Sequence, residues 1–253
     1  MTVIHGMEGD SLDLILHSPG GSAEATEAIV TYIRSKFKDV RVIVPQAAMS
    51  AATMLACSAD RITMGRHSSL GPIDPQVLIP SGEGRMLVPA YAILAQFRKA
   101  QEECKDPSKL ASWYPMLSQY GPGLLVQCET QTALARNLVQ TWLRTYMLKG
   151  NNQAAETIAS TLCDHSRYGS HARHIGRDEA RRIGLVIDDL EADQVLQDLV
   201  LSYFHATTLT FDGTIAVKIF ENQNGRAFVK HYLPGVARAR APPEVERRDK
   251  GSQ

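Results

Sequence analysis

Residues 12–17, "LDLILH", form a short run dominated by Leu and Ile, the pattern of a strand covered on both faces. The run stops at "SPGGS", where Pro19 fixes one φ and Gly20 and Gly21 permit backbone conformations that a Cβ would block. From Ser22 to Phe37 the apolar residues Ala25, Ala28, Ile29, Ile33 and Phe37 fall on one helical face, and Glu24 and Glu27 lie near the positive end of the dipole. "VRVIVP" then reads as a second strand, residues 50–59 as a second helix and "RITM", residues 61–64, as a third strand. Strand, helix and strand in this order predict right-handed crossovers onto a parallel sheet, an α/β architecture. The loops "SPGG" and "QAAMS" each follow a strand and precede a helix, so both are expected at the carboxyl edge of the sheet, where such folds bind ligands.

Later in the chain the periodicity predicts a helix over residues 89–105, with Ile93, Phe97, Ala100 and Cys104 as its buried stripe. In "GRDEARRIGL" Gly184 reads as a helix C-cap preceded by basic residues. Turn signals at Asp212-Gly213 and Asn224-Gly225, set between alternating runs, predict a β-meander. The last stretch, "PGVARARAPPEVERRDKGSQ", has almost no large apolar residues and reads as a disordered tail. The expected organisation is a domain over residues 1–205, a meander over 206–233 and a tail over 234–253.

Composition narrows the function. The 253 residues are 44% hydrophobic, enough for a sizeable core. Lys and Arg together number 27, as do Asp and Glu, so no global field draws in nucleic acid. Cys57, Cys104, Cys128 and Cys163 make no CxxC, which reads as a reduced chain with buried thiols and no disulfide framework or zinc site. No basic n-region followed by an apolar h-region opens the chain. The longest apolar stretch, residues 42–59, is interrupted by Pro45, Gln46, Ser50, Thr53 and Ser58, so it is a buried strand and helix and not a membrane span. The expected location is cytoplasmic. Asp164, His165, His171 and His174 in "DHSRYGSHARH" have the residue types of a metal site, but Gly169 and Ser170 argue for a loop; neither metal nor cofactor is expected.

The chemistry then centres on "AMSAATMLACSA". At a helix N-terminus the Ser50 hydroxyl would lie near free backbone N–H groups and the positive end of a dipole. Gly20 or Gly21, with the amide of Ala51, offers the two backbone donors that an acyl-transfer oxyanion needs. The alternative is a small-residue helix packed on a sheet, with Ser50 as its N-cap.

"LDLILHSPGGSAEATEAI" followed by "VRVIVPQAAMSAATMLACSADRITMGRHSSLGPIDPQ" resembles the Clp and signal-peptide-peptidase superfamily, and within it the prokaryotic serine dehydrogenase proteinase family. The likeness continues through residues 97–143, "SHARHIGRDEARRIGL" and "AVKIFENQNGRAFVK". It implies a ClpP/crotonase-like spiral of βαβ units with a largely parallel sheet, a helical segment in the second half and a C-terminal β-meander. It also implies that Ser50 is a peptidase nucleophile and that the amides of Gly20, Gly21 and Ala51 form the oxyanion hole. Clp peptidases place a histidine where this chain has "PIDPQ", and His67 comes too early. Signal peptide peptidases use a lysine farther on, and Lys99 lies 49 residues after Ser50, so the resemblance favours a Ser–Lys dyad. Lys99 lies to one side of its helix's apolar stripe, so a neighbouring protomer would have to bury it; Lys105 and Lys109 are further candidates.

Three functions follow. The first is an ATP-independent serine peptidase, a homo-oligomer cutting unfolded or membrane-derived polypeptides. The second is a catalytically inactive scaffold or peptide-binding subunit. The third is an acyl-CoA enzyme of the crotonase type. Family members usually carry further N-terminal sequence, often a membrane anchor, where this chain has eleven residues before "LDLILH". Membrane association would then come through a partner or a missing N-terminal segment.

Overall fold

The computed structural model describes residues 2–81 and 84–232, and the tail expected at residues 234–253 lies outside them. By their internal contacts the described residues divide into one unit over Gly6–Phe204 and a second made of Thr2–His5 with residues 205–232. In the larger unit β1 (Ser11–Ile15), α1 (Ala23–Lys36), β2 (Asp39–Val44), β3 (Ala47–Ala48), α2 (Ala51–Cys57), β4 (Arg61–Met64) and β5 (Ser69–Leu70) come first. Next are a hairpin of β6 (Gln76–Ser81) and β7 (Gly84–Pro89) and the helices α3 (Ala90–Glu103), α4 (Leu110–Leu117), α5 (Leu124–Thr145), α6 (Asn152–Leu162) and α7 (His165–Tyr168). The described residues end with β8 (Ile175–Gly176), α8 (Arg177–Ile183), β9 (Ile187–Asp189), α9 (Gln194–Gly213), β10 (Ala216–Glu221) and β11 (Ala227–His231).

The main sheet has the order β1-β2-β4-β9 and is parallel throughout, so the α/β class and the parallel sheet are those expected. Its centre is the continuous Val/Ile run of β2, where Val42, Ile43 and Val44 are each at most 1% exposed. Ile43 packs against Leu190, Leu196 and Val200. Val42 and Val44 face the opposite side by the alternation of a strand, so β2 is covered on both faces. The same coverage was expected of β1 and does not hold. Leu12 is 8% exposed but Ile15 37%, because β1 is the sheet's edge strand and pairs with β2 alone among the described residues.

Helix α1 is also rotated from its expected face. It buries Thr26, Val30 and Ile33, with Phe37 just beyond its end, while Ala25, Ala28 and Ile29 are exposed. Residues 26, 30, 33 and 37 make an equally regular helical stripe, and the one polar member can be buried because the Thr26 hydroxyl donates to the Ser22 carbonyl at 3.0 Å. Ser22 is the N-cap, its side chain accepting from the amide of Ala25.

After Val44 the chain leaves the main sheet and builds a second, smaller one of order β3-β5-β8. Its neighbour is the end of the loop after β1: Ser18 N–H donates to the Ala47 carbonyl at 3.0 Å, and Met49 N–H donates back to the Ser18 carbonyl at 2.9 Å. These two bonds hold the glycine loop beside the start of α2. Fully buried Thr53 locks α2 from the other side, because its hydroxyl lies 2.7 Å from the Ala48 carbonyl and accepts the Gly71 amide at 3.0 Å.

The helical second half supports this frame. Helices α5 and α6 bury Ala135, Val139 and Leu143 against Ala155, Ile158, Ala159 and Leu162. The Ile73 amide donates to the Leu162 carbonyl at 2.8 Å, which ties the loop after β5 to the end of α6. Gly184 ends α8 in the left-handed conformation at φ 113°, as its C-cap pattern predicts.

The smaller unit corrects the expected meander. Asp212 and Gly213 close α9 and do not turn a hairpin. Two strands remain among the described residues, joined at Asn224-Gly225, where Gly225 has φ 73° and the Asn222 carboxamide oxygen accepts from the amides of Asn224 and Arg226. Asn222 and Arg226 also bond the carbonyls of Val3 and His5.

Thr53→Val keeps the side-chain shape and removes the hydroxyl, leaving the buried Gly71 amide without its acceptor. The expected loss is about 1–3 kcal/mol of unfolding free energy, read from the midpoint of urea denaturation.

Candidate active site

Ser50 occupies the junction between β3 and α2 with φ 52° and ψ −116°, outside the regions open to ordinary L-residues. The side chain makes no capping bond to α2, so the N-cap reading does not describe it. A serine held at a strained strand-to-helix turn, with its hydroxyl left uncommitted by the helix, is the arrangement of an exposed nucleophile.

Gly20 explains how the turn is held. It has φ 111°, and a Cβ on it would stand 2.8 Å from the Met49 carbonyl oxygen, 2.9 Å from Ser50 Cβ and 3.2 Å from the Ala51 nitrogen. Only glycine allows so close an approach. Its own amide donates to the Ser18 hydroxyl at 3.1 Å. Among the described residues no hydrogen bond engages the amides of Gly21 or Ala51, both of which line the same cavity as Ser50. Of the three residues expected to hold an oxyanion, Gly20 therefore has its N–H turned to Ser18, while Gly21 and Ala51 keep theirs available.

The cavity has a volume of about 420 Å³. Gly21, Ser50 and Ala51 meet Met54, Leu87 and Leu134 there, and its polar lining includes Glu24, Asp74, Gln76, Gln131 and His171. The Asp74 side chain is only 4% exposed. Its Oδ2 lies 2.7 Å from His165 Nδ1 and 3.8 Å from His171 Nδ1. Gln76 Nε2 sits 3.3 Å from that oxygen and 3.2 Å from His171 Nδ1. His165 also stacks on Tyr91, with ring centroids 4.8 Å apart.

These partners come from the stretch that sequence reading weighed as a metal site. His165 opens α7, whose N-cap Asp164 accepts the Ser166 amide, and left-handed Gly169 then ends the helix and redirects the chain to His171. His174 is exposed, as is His67. Among the described residues no three His, Cys, Asp or Glu side chains are arranged to hold a metal ion. Asp74 was visible as the residue of "PIDPQ" standing where a histidine was sought. Its histidine partners lie 91 and 97 residues farther along, a pairing that only the fold makes.

Lys99 lies elsewhere. It is on α3 with its side chain 68% exposed, its Nζ 3.9 Å from Glu103, and it does not line the Ser50 cavity within the single chain. The buried thiols are poor nucleophiles: burial pushes Cys57 far above the usual thiol range and Cys163 up to about 12. No helix among the described residues is long and apolar enough to cross a membrane.

The strain at Ser50 is measurable. Glycine tolerates φ 52° and alanine does not, so Ser50→Gly is expected to unfold at higher urea than Ser50→Ala, by the equivalent of about 1 kcal/mol or more. Equal midpoints would show that the turn is unstrained.

Comparison with known proteins bears on the first part of the chain. The uncharacterized protein MJ1495 of Methanocaldococcus jannaschii is 36% identical over 95 residues, which cover 38% of this chain and 30% of that protein. The uncharacterized protein MJ0137 of the same organism is 44% identical over 66 residues, 26% of this chain and 23% of its own length. The chain thus spans less than a third of either relative. Residues 3–111, which hold the glycine loop, Ser50 and Asp74, match the family model of ClpP-like SDH-type serine proteinases. Over those residues, fewer than half of the 253, the chain is similar to the ClpP-like, SDH-type serine proteinases.

Proposed function

We propose that the chain is a serine endopeptidase that cleaves polypeptides through an acyl-enzyme on Ser50. The observation that carries this reading is the backbone of Ser50, held at φ 52° against Gly20 on the wall of a cavity that Gly21 and Ala51 also line. In this reading the amides of Gly21 and Ala51 stabilise the oxyanion, and Gly20 fixes their spacing. One such donor is worth about 3 kcal/mol of transition-state stabilisation in serine peptidases. The fold is then a ClpP/crotonase-like spiral, and the substrate is an unfolded or membrane-derived polypeptide. The apolar walls from Met54, Leu87 and Leu134 suit an apolar substrate side chain.

A Ser–Lys dyad with Lys99 belongs to this proposal only in a homo-oligomer, where a neighbouring copy would have to bring that exposed ammonium to Ser50 and strip it of water. The second reading, an inactive scaffold or peptide-binding subunit, keeps the cavity and drops the reaction. Location in the cytoplasm, or at a membrane through a partner, is part of the same proposal.

Incubation of the full chain with a fluorophosphonate, followed by peptide mass spectrometry, is expected to give an adduct on Ser50 that is absent from Ser50→Ala. A folded protein that forms no adduct would favour the scaffold. Gly20→Ala, which forces a Cβ into the Met49–Ser50 backbone, is expected to slow labelling at least about tenfold by displacing the oxyanion donors.

A further inference from the structure

Met49 precedes Ser50 and is held from three directions. Its amide donates to the Ser18 carbonyl at 2.9 Å, and its own carbonyl accepts the Ala52 amide at 2.9 Å and stands against Gly20. The third hold is its side chain. A Cβ on buried Gly71 would stand 2.5 Å from the Met49 methyl carbon and 2.9 Å from its sulfur, so the thioether lies directly against the Gly71 backbone. Gly71 is itself pinned, since its amide donates to the Thr53 hydroxyl at 3.0 Å. The φ of 52° at Ser50 therefore leans on an apolar contact made by the residue before it.

That contact is open to one kind of chemistry. Met49 is half-buried and keeps some surface toward solvent, whereas Met54 and Met64 are at most 2% exposed. Burial holds the thiols of Cys57 and Cys163 protonated, and the thiolate is the form that reacts with oxidants. A thioether has no proton to lose and needs none removed. Oxidation converts the flexible apolar side chain of methionine into a polar, chiral one. The donor beside it, the Gly71 amide, is already taken by Thr53, so a sulfoxide held against Gly71 would be a polar group without a partner there.

Resting on the serine peptidase reading for its effect on activity, we propose that Met49 is an oxidation site at which hydrogen peroxide reversibly switches off the Ser50 turn. A sulfur lone pair attacks one peroxide oxygen, the sulfur–oxygen bond forms and the oxygen–oxygen bond breaks. The departing hydroxide takes the proton from the oxygen now on sulfur and leaves as water. Sulfur is oxidised and the peroxide is reduced. The sulfoxide then leaves Gly71 for solvent, Met49 loses its third hold, and Ser50 relaxes toward an ordinary φ, away from the cavity that Gly21 and Ala51 line. A methionine sulfoxide reductase, with a dithiol as reductant, removes the oxygen as water and restores the thioether.

The test treats the full chain with hydrogen peroxide and follows three readouts: sulfoxide by peptide mass spectrometry, the urea midpoint, and the rate of fluorophosphonate labelling at Ser50. Sulfoxide on Met49 is expected to accompany a lower midpoint and labelling slowed by about tenfold or more. Reductase with dithiothreitol is expected to reverse both. Met49→Leu, close in volume and without sulfur, is expected to keep its own midpoint and labelling rate in peroxide. Met49→Gln, polar at the same length, is expected to label slowly with no oxidant present. Met86→Leu removes an exposed methionine on the face of β7 opposite Leu87, and this variant is expected to stay sensitive to peroxide. Unchanged labelling and midpoint with Met49 oxidised, a Met49 that stays reduced while Met86 oxidises, or a loss that persists in Met49→Leu would each overturn the switch. If the untreated wild-type chain does not label, the peptidase reading falls, and the urea midpoints of oxidised wild type and Met49→Leu still decide whether Met49 holds the turn.

Discussion

Gly20 lies so close to the start of α2 that the backbone of Met49, Ser50 and Ala51 fills the space where its Cβ would be. Two strand-to-helix loops are thereby pressed into one surface, and the hydrogen bonds between Ser18 and the segment Ala47–Met49 hold them in register. The strain at Ser50 persists because the surroundings over-determine it. Thr53 fixes the first turn of α2, the small second sheet fixes the chain before it, and the glycine removes the clash that any other residue would bring. Without that approach the Ser50 hydroxyl and the amides of Gly21 and Ala51 would not line one cavity.

What could be read from sequence was local. The run "VRVIVP" and the tetrapeptide "RITM" became β2 and β4 because unbroken β-branched and apolar runs fit a strand covered on both sides. The glycine loop and the small-residue helix were recognisable because their residue types are rare at those places. Helix α1 shows the limit: two stripes that share Ile33 and Phe37 and part at their first members were both regular, and the hydroxyl bond that lets Thr26 be buried is not registered by periodicity. Asp212-Gly213 shows another, since the same dipeptide serves a hairpin turn or, as here, a helix end.

The acidic wall of the cavity was the least legible. Asp74 stands among buried residues with prolines near it, which reads as a structural loop, and "DHSRYGSHARH" reads as a polar connection. The two meet because Ile73 is tied to the end of α6, so the chain leaving α6 must pass over Asp74 on its way to β8. A contact across more than 90 residues leaves no trace in local spacing.

Asp74 also precedes Pro75, and a residue before proline is held out of the helical region by the ring that follows it. With the amide of Ile73 tied on one side and Pro75 on the other, this carboxylate has little freedom to lose when a ligand arrives.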